Sequence, residues 1–185
     1  LIEKMEKDFL IVLNTIGSAQ EVYAFIKKLK LENTEEFFLS TNIIPKERLK
    51  RIKVIKDGGE TKEPKRKVIV STQLIEAGVD IDADIVYRDF APLDSINQVA
   101  GRCNRNSSKD DKGTVSIFIL RDDKKPFYKY IYDPFLMSKT LDILKPIKEP
   151  IKESEFLDLN NRYFKAVKRG MGDQDSKDNL GYIAG

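Results

Sequence analysis

Gln98, Arg102 and Arg105 stand in "INQVAGRCNRN", residues 96–106, at spacings of four and three. On a helix those spacings project all three side chains from one face. Gly101 lies on that face and leaves room for a ligand to approach. Two guanidinium groups there carry permanent positive charge and fork-shaped donors, which suit phosphate oxygens. The same residues also have a reading without any ligand. Ser95-x-x-Gln98 has the form of a capping box, and arginines near a helix C-terminus complement its dipole.

Just upstream, "VIVSTQLIEAGVDID" (68–82) carries a second set of candidate groups. Thr72 and Gln73 sit where a strand ends and can donate to a phosphate backbone. Asp80 is a carboxylate of the kind that holds a ribose hydroxyl. A helix C-cap for Gly78 and a loop cap for Asp80 are the structural alternatives.

The elements that must position these groups alternate along the chain. Strands are expected at 9–15, 36–40, 67–72, 84–90 and 114–120, several of them apolar on both sets of alternating positions. That pattern fits a parallel sheet covered on both faces. Between them, "SAQEVYAFIKKLK" places Ala19, Val22, Phe25, Ile26 and Leu29 on one stripe with Ser18 as N-cap. "PKERLKRIKVIK" opens on Pro45 and carries Leu49, Ile52 and either Val54 or Ile55 inward. The β-α-β order predicts an open α/β sheet with ligands beyond the carboxyl ends of its strands. Past Leu120 the strand pattern stops; a connector with a helix near 134–144 and another over 153–169 leads to a polar, glycine-rich end expected to be poorly ordered.

Composition narrows the chemistry. The 185 residues carry a formal charge of +3, which permits a nucleic-acid partner without indicating one. There is no histidine, so imidazole bases and imidazole metal sites are excluded from this chain. The single cysteine, Cys103, rules out an intramolecular disulfide. No apolar run is long enough to span a membrane, and a cytoplasmic location without membrane partners is expected.

Taken together, "STQLIEAGVDID" and "DFAPLDSINQVAGRCNR" resemble the fifth and sixth signature motifs of superfamily 2 helicases, most closely the CRISPR-associated helicase of type I systems. "VLNTIGSAQEVYAFIKKL" looks like the fourth motif region, and "FFLSTNIIPKERLKR" like the strand and arginine-bearing helix that follow it. Ser40-Thr41-Asn42 departs from the usual small-basic pattern at that point. The resemblance covers about residues 9–120 and implies a RecA-like fold over 1–120, with 121–185 a connector and helical tail toward a further domain.

It also implies roles. Arg105 would be the arginine finger on the γ-phosphate of ATP and Arg102 a phosphate binder beside it, supported by Gln98. Gly78 and Asp80 would line the nucleotide side of the cleft. Asn14, Thr15, Ser40, Thr72 and Gln73 would face the backbone of single-stranded DNA. The chain has neither a G-x-x-x-x-G-K-[ST] phosphate loop nor a D-E-x-[DH] magnesium motif. ATP and Mg²⁺ would therefore be held mainly by a separate N-terminal RecA-like domain, and this chain alone should not hydrolyse ATP. Leu1 in place of an initiator Met fits a fragment that starts at a domain boundary. A metal-dependent nuclease domain or subunit and a CRISPR effector complex would be further partners. Two alternatives stay open: a lobe of another superfamily 2 motor acting on RNA, and a non-catalytic nucleic-acid or protein-binding module on the same fold.

Overall fold

The computed structural model describes residues 2–59, 65–76, 79–104 and 113–170. Five strands, β1 (Phe9–Val12), β2 (Thr34–Leu39), β3 (Arg66–Ser71), β4 (Ile85–Asp89) and β5 (Thr114–Phe118), form one sheet in the order β2-β3-β1-β4-β5. Every pairing is parallel. The expected open α/β sheet is therefore present, with the RecA-like arrangement that the motifs implied. Its central strand β1 is buried along its whole length, whereas the edge strand β5 is not, as its neighbours on one side require.

Helices α1 (Ile16–Leu29), α2 (Pro45–Lys56) and α3 (Leu93–Ala100) cover the sheet. Leu10, Val12, Ile69 and Val86 face one apolar layer with Ile55 and Val99; Phe9, Ile11, Val68 and Val70 face the other with Ala19 and Ile26. Each fully buried side chain of this size contributes about 1.5–3 kcal/mol.

The helix starts differ from expectation in ways that matter for the site. Thr15, not Ser18, caps α1: its hydroxyl accepts from the Ser18 N–H at 3.1 Å, which puts Ser18 inside the first turn. Phe25 and Leu49 lie outward, 63% and 66% exposed, because Tyr23 and Ile55 take the inward positions. α3 begins at Leu93, so Ser95 is already within the helix and the capping box with Gln98 does not form.

By contact density the chain divides into two units. One holds the sheet and runs to Ile131, including α4 (Tyr128–Ile131), a short helix that the sequence pattern missed. There Phe127 N–H returns to Leu120 O at 2.9 Å and Tyr128 sets its ring edge-on to Phe90. The other unit takes residues 92–94 and the chain from Tyr132 onward, with α5 (Pro134–Leu144) and α6 (Phe156–Gly170). Asp133 caps α5 through its carboxylate. Leu93, Ile143, Leu159 and Tyr163 make this unit's core. Burial and the neighbouring Asp94 push the Tyr163 hydroxyl up to about 12. The segment 171–185, expected to be poorly ordered, lies outside the described residues. No helix among the described residues is long and apolar enough to cross a membrane.

Candidate nucleotide and nucleic-acid faces

The carboxyl ends of β1, β2 and β3 stand side by side, and five of the expected residues gather there. Leu13 N–H donates to Ser71 O at 2.9 Å and Thr72 N–H to Leu39 O at 3.2 Å, which extends the ladder just past the strands. Asn14, Ser40 and Thr72 are all at most 3% exposed. Ser40 turns its hydroxyl to the Asn42 N–H at 3.1 Å, and Thr15 is engaged in capping α1. Gln73 opens a single 3₁₀ turn (Gln73–Ile75) and donates through Nε2 to Asn14 O at 2.8 Å.

A second rim forms where the loop 79–84 runs alongside the turn that ends α3. Ala83 N–H donates to Arg102 O at 3.0 Å and Asn104 N–H to Ala83 O at 2.9 Å, so two hydrogen bonds tie the loop to the turn. Asp80 lies on this rim beside Asp8 and Asp84, at the amino ends of β1 and β4 and not at the carboxyl ends where ligands were expected; its side chain is 56% exposed and pairs with Lys56 Nζ at 3.1 Å. Asp80, Asp82, Asp8, Lys56 and Lys67 line a shallow cavity of about 270 Å³.

Of the helical face expected for Gln98, Arg102 and Arg105, the described residues show Gln98 on α3 and Arg102 in the turn that follows it. α3 stops at Ala100; Arg102 N–H and Cys103 N–H reach back three residues to Val99 O and Ala100 O at 2.9 Å, a tightened last turn. Asn104 then takes a left-handed φ of 48°. Gln98 is exposed on α3. Arg105 and Gly78 lie outside the described residues.

Arg102 is half-buried and donates from Nη2 to the Glu76 carbonyl at 3.3 Å, while its buried Nε has no hydrogen-bond partner among the described residues. The Nε lies below the surface, so an anionic oxygen would reach it only if the turn shifted, and leaving it unpaired carries a cost that such a partner would relieve. The fit to a phosphate thus rests on the donor itself. Among the described residues no cluster of carboxylate or cysteine side chains could hold a metal ion.

Sequence reasoning passed over Arg88 and Glu76, which link Asn14 and Ser95 between the two rims. Arg88 is wholly buried in β4. Its Nη1 donates to Asn14 Oδ1 at 2.7 Å, and its Nη2 to Glu76 Oε1 at 2.7 Å and to Ser95 Oγ at 2.9 Å. Ser95 Oγ in turn donates to Glu76 Oε1 at 2.6 Å, and Asn14 Nδ2 to Phe90 O at 2.8 Å. The signal was an arginine in "DIVYRDF", a strand otherwise suited to two apolar faces, where a charge must find partners. Beside it Asp89 is also buried, and desolvation raises its carboxyl above the ordinary range despite the Leu120 N–H and the Arg88 charge.

A family model described as "CRISPR-associated nuclease/helicase Cas3, C-terminal" matches residues 5–108. The CRISPR-associated nuclease/helicase Cas3 of Methanothermobacter thermautotrophicus is 32% identical over 161 residues, 86% of this chain and 18% of that protein. The chain spans about a fifth of the length of the curated relatives it matches. Among solved structures, T. fusca Cas3-ADP superposes with a TM-score of 0.76 at 19% identity, over 99% of this chain and 24% of the other. A chain in a CRISPR RNA-guided surveillance complex, pre-nicking, superposes at 0.65 with 20% identity, over 96% of this chain and 24% of its own length. At these identities the superpositions show the fold.

Proposed function

The chain belongs to the CRISPR-associated nuclease/helicase Cas3 family, matching its C-terminal region, and we propose that it is the second motor lobe of an ATP-dependent helicase that moves on single-stranded DNA in CRISPR defence. The observation that carries the reading is the turn after α3, which is bonded to the loop 79–84 and leaves the Arg102 Nε unspent on the rim. In the intact protein a phosphate-loop lobe would bind ATP and Mg²⁺, and closure would bring Arg102 and Arg105 onto the phosphates. ATP supplies a terminal phosphoryl group whose charge must be stabilised during transfer. Arg105 would do this as the finger and Arg102 would orient beside it, an effect worth roughly 10³–10⁵ in rate in nucleotide hydrolases. Gln98 would support the two arginines, and Gly78 and Asp80 would border the sugar.

Asn14, Thr15, Ser40, Thr72 and Gln73 would form the DNA face. Any contacts they make to a strand would be to its phosphates, which read no sequence. T. fusca Cas3 in nucleotide-bound form and a Cas3-like chain in a surveillance complex support the nucleotide and the effector complex as partners. The nuclease named in the relatives would reside elsewhere in the longer protein, in the cytoplasm. The test is ATP hydrolysis with and without single-stranded DNA, measured on the intact helicase beside this chain alone. Stimulated turnover by the intact protein and none by the chain supports the lobe assignment; comparable turnover by the chain alone overturns it.

A further inference from the structure

The groups between the two rims form one continuous polar path through the core. At the strand ends, Gln73 bonds the Asn14 carbonyl and the Asn14 side chain bonds Arg88. Arg88 and Ser95 converge on one oxygen of Glu76. The Glu76 carbonyl accepts Arg102 on the other rim. Arg88 has no exposed surface and the Glu76 side chain is 15% exposed, so water has little part in their pairing. A buried ion pair is poor value as a stabiliser, because desolvation offsets most of the attraction and apolar residues of equal volume often serve as well or better. What such a pair supplies is directional: each partner fixes the other's geometry, and a shift at one end must be accommodated at the other.

We propose that the buried Arg88–Glu76 pair, bridged by Ser95 and anchored on Asn14, is a positioning relay that transmits occupancy of the DNA-facing strand ends to Arg102 on the nucleotide rim. The inference rests on the assignment of those two rims made above. DNA phosphates pressing on the segment after β1 and β3 would move Asn14 and Gln73. Asn14 holds one arm of the Arg88 guanidinium, and the other arm holds Glu76, whose backbone carries Arg102. Neither Arg88 nor Glu76 touches DNA or ATP in this scheme; both act through their neighbours.

The experiment uses the intact helicase and two variants that keep the volume of the site. Glu76→Gln removes the charge and preserves the shape; Arg88→Met with Glu76→Met replaces the pair by apolar side chains. ATP turnover is titrated with single-stranded DNA and with ATP, and thermal melting checks folding. The relay predicts a KM for ATP within about twofold of the parent and a loss of roughly tenfold or more in DNA-stimulated kcat, a split that packing alone would not produce. Wild-type stimulation in the folded double variant would overturn the relay, whatever Glu76→Gln does. Arg102→Ala runs beside them: if it leaves stimulated turnover intact, the nucleotide-rim assignment itself fails, and if it abolishes turnover while the pair variants remain stimulated, only the relay fails.

Discussion

At the carboxyl ends of β1 to β3, Asn14, Ser40 and Thr72 are buried, and Thr15 and Ser40 spend their hydroxyls on neighbouring N–H groups. On the rim made by the loop 79–84 and the turn 101–104, Asp80 is more than half exposed and Arg102 holds a buried donor in reserve. On the first rim the Thr15 and Ser40 hydroxyls already serve neighbouring N–H groups; the second is held together by backbone pairing and keeps the paired Asp80 carboxylate at the surface. A polymer of phosphates can slide over the first kind of surface. Stabilising charge at one reacting phosphate needs the second kind.

The largest effect is expected from Arg105, proposed above as the finger. Arg105→Ala in the intact helicase should reduce DNA-stimulated ATP turnover by roughly 10³-fold or more, with binding of single-stranded DNA retained; steady-state kinetics beside a DNA titration decide it. Between the rims the expected effect is on stability. Arg88→Ala alone strands the Glu76 carboxylate and should cost about 3–5 kcal/mol in urea unfolding, far more than the matched double replacement.

Asp89 sharpens the same point through pH. Its folded carboxyl lies above the ordinary value of 3.8, chiefly because it is buried. Between those two values the folded chain holds a proton that the unfolded chain has released. The contribution of Asp89 to stability is therefore fully present below the unfolded value and is lost as pH rises through the folded one. Urea midpoints followed upward from pH 4 should show this loss, and Asp89→Asn should flatten it. The smallest effect belongs to the first rim: Thr72→Ala removes one hydroxyl and should weaken single-strand binding by about 1 kcal/mol, a few-fold in affinity, with ATP binding unchanged.

How far the sequence could be read follows from where the information is local. The inner strands were legible because parallel strands covered on both faces are apolar on both, and α2 was legible because Pro45 marks its first turn. Helix caps were harder. Thr15 and Ser18 both have capping chemistry, and only the path out of β1 decides between them. The spacing of Gln98, Arg102 and Arg105 suggested one helical face, but periodicity carries no sign of the left-handed Asn104 or of the bonds that draw Arg102 and Asn104 to Ala83. The Arg88 network was the least legible, since Asn14, Glu76, Arg88 and Ser95 come from four separate segments and meet only when the sheet is assembled. The charge in an apolar strand announced that partners must exist, without saying which.

A division of motor work between the two rims is checked by parallel measurement of ATP turnover and single-strand affinity for Arg102→Ala and Thr72→Ala in the intact helicase. Arg102→Ala should lose turnover and keep DNA affinity, while Thr72→Ala should lose DNA affinity and keep the unstimulated turnover. Equal losses of both properties in both variants, or the reverse assignment, would contradict it.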